Sequence, residues 1–164
     1  MKNNIQELNG DYASVSSHNT EALVLNCMDY RLVDDVTSYM NARGMRDKYD
    51  QIALAGASIG VLTAEKSSWG ETFWEHVELA RELHGIKKII VIDHRDCAAC
   101  KAFVTPTCGQ DPEAELKLHT VMLNRLAKEI RIREPGLDVE LLLMNLDGTV
   151  EQIPIDENMS KESF

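Results

Sequence analysis

Lys88-Ile-Ile-Val-Ile-Asp-His-Arg-Asp-Cys97 is the stretch on which the fold turns. Its β-branched run is too short for a helix and too uniformly apolar for a strand with one wet face. Lys88–Asp93 therefore reads as a strand buried on both sides, the kind found inside parallel sheets. Working outward, Glu21–Asn26, with its Ala22-Leu-Val-Leu core, reads as a first strand, Gln51–Ala55 as a second and Val139–Leu146 as a fourth. Helical spacing separates them. Val33, Val36 and Met40 share a face that Gly44 ends, and Phe73, Val77 and Ala80 share another that stops at His84-Gly85. A short helix from about Ala98 to Val104 closes at Thr105-Pro106. A long one follows, with Leu118, Met122, Leu126 and Ile130 on its buried side and Pro135-Gly136 at its end. Asp147-Gly148 is a two-residue hairpin signal, so Thr149–Ile155 should return antiparallel. Strands alternating with helices imply right-handed crossovers. The expected class is α/β: a mostly parallel central sheet, flanking helices and an antiparallel edge strand.

Residues 1–20 are polar, rich in Ser and Asn, and carry no period; they read as an N-terminal arm to a single domain spanning 21–164. A chain of 164 residues can bury roughly 70% of its unfolded surface in one domain, and 44% hydrophobic content suffices for a core. The net charge of −10 argues against nucleic acid or an anionic membrane as partner. The first ten residues lack the apolar stretch of a signal peptide, and the longest apolar runs are strand-sized. A cytoplasmic location is expected, where the four cysteines are ligands or core residues rather than disulfides.

Chemistry concentrates in two short segments, Cys27-Met-Asp29-Tyr-Arg31 and His94-Arg-Asp-Cys97, each placed after a buried strand. A buried cysteine is commonly a small hydrophobe, and a strand-end histidine is commonly just hydrogen-bonded. Two cysteines and a histidine together at the carboxyl ends of neighbouring strands are another matter. That is where α/β sheets bind ligands, and the donor set is one Zn²⁺ prefers. Three protein ligands leave one tetrahedral position free, as in catalytic zinc sites. Asp29 and Arg31 then stand where an acceptor and its guanidinium partner can act on whatever occupies that position.

The paired motifs, with the Ala55-Gly56 turn between them and the Asp147-Gly148 strand after them, resemble the β-class carbonic anhydrases over most of residues 21–155. The resemblance implies zinc bound by Cys27, His94 and Cys97, an Asp29–Arg31 dyad, and reversible hydration of CO₂ to bicarbonate in a homodimer or homotetramer. It also implies that Asp29 can either pair with Arg31 or ligate the metal. Backbone N–H groups at Gly56, Ala57 and Ser58, in a small-residue turn entering a helix, are expected to help bind bicarbonate. The chain departs from the family where Arg-Asn-Ala-Gly-Gly usually stands: here it is Ala53-Leu54-Ala55-Gly56-Ala57, and Ala98 replaces the glycine after the second zinc cysteine. An apolar wall at Leu54 is compatible with an alternative, hydrolysis of COS or CS₂ by the same metal chemistry. A third reading is a zinc-stabilised protein without activity.

Cys97-Ala-Ala-Cys100 would allow a closed four-ligand site or a redox pair, but no Trp-Cys-Gly-Pro surroundings accompany it, and Cys100 is expected to face the core. Cys108 carries no assigned role. His18, His76, His84 and His119 read as solvated or capping residues, each able in principle to relay a proton. Trp69, Phe73 and Trp74 read as core or subunit-interface anchors.

Overall fold

The computed structural model describes residues 18–157, so the expected arm lies almost entirely outside the described residues. Five strands form one sheet in the order β2-β1-β3-β4-β5: β1 (Ala22–Asn26), β2 (Tyr49–Ala53), β3 (Lys88–His94), β4 (Asp138–Met144) and β5 (Val150–Ile153). The first four run parallel, and β5 returns antiparallel on β4 with Met144 opposite Val150. The expected α/β class and edge strand are both present. The second strand starts two residues earlier than its apolar pattern suggested.

β3 lies at the centre, and its apolar run serves both faces at once. Ile89 and Val91 join Leu23, Leu25, Leu141 and Leu143 beneath α3 (Ser67–His84) and α5 (Pro112–Arg133). Ile90 and Ile92 join Ala22, Val24, Leu142 and Met144 beneath α1 (Val33–Ala42), which contributes Val36 and Met40. Val33, placed by spacing on that face, is instead 56% exposed at the helix start. Two short helices, α2 (Ser58–Leu62) and α4 (Ala98–Phe103), follow β2 and β3.

The chain leaves β1 for β2 on one side and comes back to lay β3 on the other, so strand order reverses between β1 and β3. At such a switch point the loops diverge to opposite faces and open a crevice at the carboxyl ends of the strands. Cys27 follows the last residue of β1, and His94 is the last residue of β3.

α5 begins with a strong signal: Asp111 accepts from the N–H groups of Glu113 and Ala114 at 2.8 and 2.9 Å, with Pro112 in the first turn. Its buried stripe is Glu115, His119, Leu123, Ala127 and Ile130, with Leu126. Leu118 and Met122, expected in the core, are half-buried and pack on the cysteine cluster instead. The helix is rotated so that three polar residues enter the interior: Glu115 accepts from the Asp96 N–H beside the crevice, His119 pairs with Asp93 on β3, and Asn124 donates to the Pro154 carbonyl.

Candidate metal centre

The sulfurs of Cys27 and Cys97 and one ring nitrogen of His94 lie within 4.8 Å of one another, on buried residues. His94 Nδ1 donates to the backbone carbonyl of Arg95 at 2.9 Å, which leaves Nε2 buried and without a partner. A buried orphan nitrogen costs on the order of 1–3 kcal/mol unless something binds it. The donor set and the carbonyl bracing Nδ1 both fit Zn²⁺.

The thiols are unlike each other. The Cys97 S–H beside it, the His94 ring and the Gly56 N–H at 3.2 Å outweigh burial and lower the Cys27 thiol. The Cys27 thiolate and burial in turn push Cys97 up. For His94, burial pulls the imidazole down, but the Cys27 thiolate and the Arg95 carbonyl raise it overall.

Asp29 and Arg31 stand at its mouth. Arg31 holds both carboxylate oxygens of Asp29, and its hydrogen bonds, opposed by partial burial, bring that carboxyl down to about 2. Asp29 Oδ2 is 3.9 Å from His94 Nε2. Arg31 also spans the crevice: Nη1 donates to Asp96 Oδ2 at 3.0 Å and Nη2 to the Asp96 carbonyl at 3.1 Å. Asp96 adopts a positive φ of 57°, pairs with Lys101, and donates its N–H to buried Glu115 at 2.7 Å. Neither Asp96 nor Glu115 stood out in the sequence, although Asp96 lies inside the second motif and Glu115 opens the buried stripe of α5.

The turn after β2 does different work from that expected. Gly56 N–H goes to Cys27 Sγ, Ala57 N–H to the Leu54 carbonyl at 2.9 Å, and Ser58 N–H to Asp93 Oδ1 at 3.0 Å. All three donors are engaged inside the chain, so none is left for an anion. Gly56 has φ of 80°, and a Cβ there would lie 2.9 Å from Ala99 Cβ. Ala57 holds φ of 44°, which strains a residue with a side chain. Leu54 packs on the large core cluster under α3.

Cys100 and Cys108 also correct the sequence reading. They form a disulfide, with Cα atoms 6.1 Å apart, where reduced core residues were expected. Thr105 donates its N–H to the Cys100 carbonyl, Cys108 donates to Thr105, and this turn folds Cys108 back over α4. Phe73 is a core residue, with Trp74 edge-on to it at 4.9 Å, and Trp69 packs edge-on to Phe103. These aromatics are spent largely within the chain. No helix among the described residues is long and apolar enough to cross a membrane.

The model of the family described as "Putative carbonic anhydrase" matches residues 17–154. The chain belongs to this family. An uncharacterized protein of Rickettsia bellii is 37% identical over 131 residues, covering 80% of each chain. Among solved structures, the β-carbonic anhydrase CafA of Aspergillus fumigatus superimposes with a TM-score of 0.58 at 15% identity, over 86% of this chain and 78% of that one. A chain from the crystal structures of two tetrameric β-carbonic anhydrases of Sordaria macrospora superimposes with a TM-score of 0.55 at 12% identity, over 84% of this chain and 82% of that one. At such identities the likeness is one of fold, and the fold is that of β-carbonic anhydrases.

Proposed function

We propose that this carbonic anhydrase family member is a zinc enzyme that reversibly hydrates CO₂ to bicarbonate. Cys27, His94 and Cys97 would hold the metal. One observation carries the reading: a carboxylate kept ionised by a two-pronged arginine stands 3.9 Å from the unpartnered nitrogen of a Cys₂His nest. A bound Zn²⁺ supplies Lewis acidity, lowering the pKa of water toward neutrality. Asp29 accepts a hydrogen bond from the reacting water and so orients a lone pair toward the CO₂ carbon. Arg31 keeps Asp29 anionic and aimed, and Asp96 fixes the far side of Arg31. The Gly56 N–H steadies the Cys27 thiolate.

The same reading makes the protein a cytoplasmic homodimer or homotetramer. Met28, Tyr30 and Val33 support it: they are 66%, 85% and 56% exposed beside the crevice, an apolar rim suited to a partner subunit. Light scattering that finds only monomer at micromolar concentration would contradict the assembly.

The deciding experiment is stopped-flow CO₂ hydration by zinc-loaded protein, by chelator-stripped protein, and by Asp29→Asn. Zinc-dependent turnover that Asp29→Asn reduces at least about tenfold is expected. Metal-bound protein with no turnover sinks the proposal, and sulfide release from COS without CO₂ hydration would reassign the substrate.

A further inference from the structure

A second cluster of soft ligands draws on α4, the turn after it and α5. The sulfurs of Cys100 and Cys108 and one ring nitrogen of His119 fall within 4.8 Å of one another, on buried residues. Cys100, Cys108 and His119 are 0%, 3% and 1% exposed. Catalysis as described above uses none of the three.

His119 is the decisive member. Its Nδ1 is 2.8 Å from Asp93 Oδ2, and a carboxylate can only accept, so the proton sits on Nδ1. Asp93 is held in turn by the N–H of Ser58 at 3.0 Å and its Oγ at 2.6 Å. The other ring nitrogen, Nε2, is buried with no partner. An imidazole braced by a carboxylate through one nitrogen, with the other left bare, is how proteins prepare a histidine to ligate metal. The Glu115 carboxylate lies at the edge of this group, its Oε1 3.7 Å from Cys108 Sγ.

We propose that Cys100, Cys108 and His119 form a second site for a thiophilic divalent cation such as Zn²⁺, open only when the Cys100–Cys108 disulfide is reduced. Two thiolates on one zinc at about 2.3 Å each sit about 3.8 Å apart in a tetrahedral arrangement, so the S–S bond and the metal exclude each other. The exchange balances. A phosphine and water convert the disulfide to two thiols and a phosphine oxide, and Zn²⁺ then displaces the two thiol protons. In reverse, a disulfide reagent such as oxidised glutathione takes two electrons from the thiolates and two protons from solvent, is reduced to two thiols, and zinc is released. Because Asp93 immediately precedes His94, the second site shares its framework with the first but none of its ligands.

The test counts zinc by mass spectrometry in full-length protein equilibrated with zinc alone, with the disulfide intact and after anaerobic phosphine reduction. One equivalent rising to two on reduction is expected. Cys108→Ser should hold one equivalent in both states, and His119→Gln should weaken the second equivalent at least about tenfold. A reduced wild-type protein that keeps a single equivalent overturns the proposal, as does a second equivalent that persists in Cys108→Ser. If Cys108→Ser does not fold, alkylation of reduced wild-type protein decides: zinc must protect Cys100 and Cys108, and their free modification in excess zinc sinks the idea. Reduced Cys97→Ser separates this inference from the catalytic reading, because it should lose CO₂ hydration yet keep one zinc at the second site.

Discussion

Arg31 grips Asp29 through both carboxylate oxygens, Nε to Oδ1 at 3.0 Å and Nη2 to Oδ2 at 2.8 Å, while the Arg31 backbone N–H also binds Oδ1 at 3.0 Å. The carboxylate is thus held at the mouth of the cysteine nest by three donors from a single residue. Its Oδ2 is 3.9 Å from His94 Nε2, so without them it could turn inward to a metal held there. Arg31→Ala is expected to keep the zinc, lose roughly 10–100-fold in CO₂ hydration, and shift Asp29 into the metal's coordination sphere. Stopped-flow rates and a crystal structure of the variant check this. Wild-type rates across neutral and alkaline pH would rule out the dyad. Arg31→Lys should recover little, since an ammonium cannot reproduce the fork.

Zinc and folding should be coupled. With free zinc a thousandfold above Kd, linkage contributes about 4 kcal/mol, and a chain of this size shifts by about 2–4 °C per kcal/mol. Cys97→Ser, studied with the Cys100–Cys108 disulfide intact, is expected to lose its zinc and melt roughly 10 °C lower. Calorimetry with metal analysis reads both quantities. One tightly held zinc per chain in that oxidised variant would remove Cys97 from the ligand set.

Gly56 has a positive φ, close packing against Ala99 and an N–H directed at Cys27. Gly56→Ala should cost about 1–3 kcal/mol of stability and weaken zinc binding together. Gly136→Ala is the control, because a Cβ there meets nothing within 4 Å. Urea denaturation and a competitive zinc chelator measure the pair; equal behaviour of the two variants would show that the turn does not support the thiolate.

Acid sensitivity should be visible at α5. The backbone N–H groups of Ala114 and then Glu113 lower the carboxyl of Asp111, and the hydroxyl and N–H of Thr149 do the same for Asp147. A carboxyl depressed in the folded state stabilises above its unfolded pKa of about 4, and that contribution fades as pH falls through the lower folded value. Asp111→Ala should therefore melt below the parent at pH 7, and the gap should narrow as pH drops under about 4. Melting curves from pH 7 to pH 2 test this; a gap that stays constant would mean the cap works without its charge.

Much of this was legible in the sequence because it is local. The β3 run, the Asp147-Gly148 turn and the ligand spacing of the two motifs each declare themselves within a few residues. What was not legible depends on how distant elements register. Helical spacing alone could not say whether Leu118 or His119 faced inward; the packing of α5 against β3 and α2 decides that. The N–H groups of Gly56, Ala57 and Ser58 looked free because Cys27 and Asp93, which claim two of them, lie 29 and 35 residues away. Cys108 carried no signal until the Thr105 turn placed it on Cys100.

The strand order has a consequence for how the chain comes together. Cys27 and His94 meet only because β3 pairs with β1, and they are 67 residues apart along the chain (94 − 27). Nothing near Cys27 in sequence completes its ligand set, and His94 with Cys97 offers only two of three donors. Parallel pairing over such a distance forms late, because loop-closure entropy must be met before its contacts form. Tight metal capture at the proposed site would thus belong to the end of folding, when the β1–β3 ladder is closed. On the proposed zinc site, the ion would act as a lock on an assembled sheet, not as the seed from which the sheet grows.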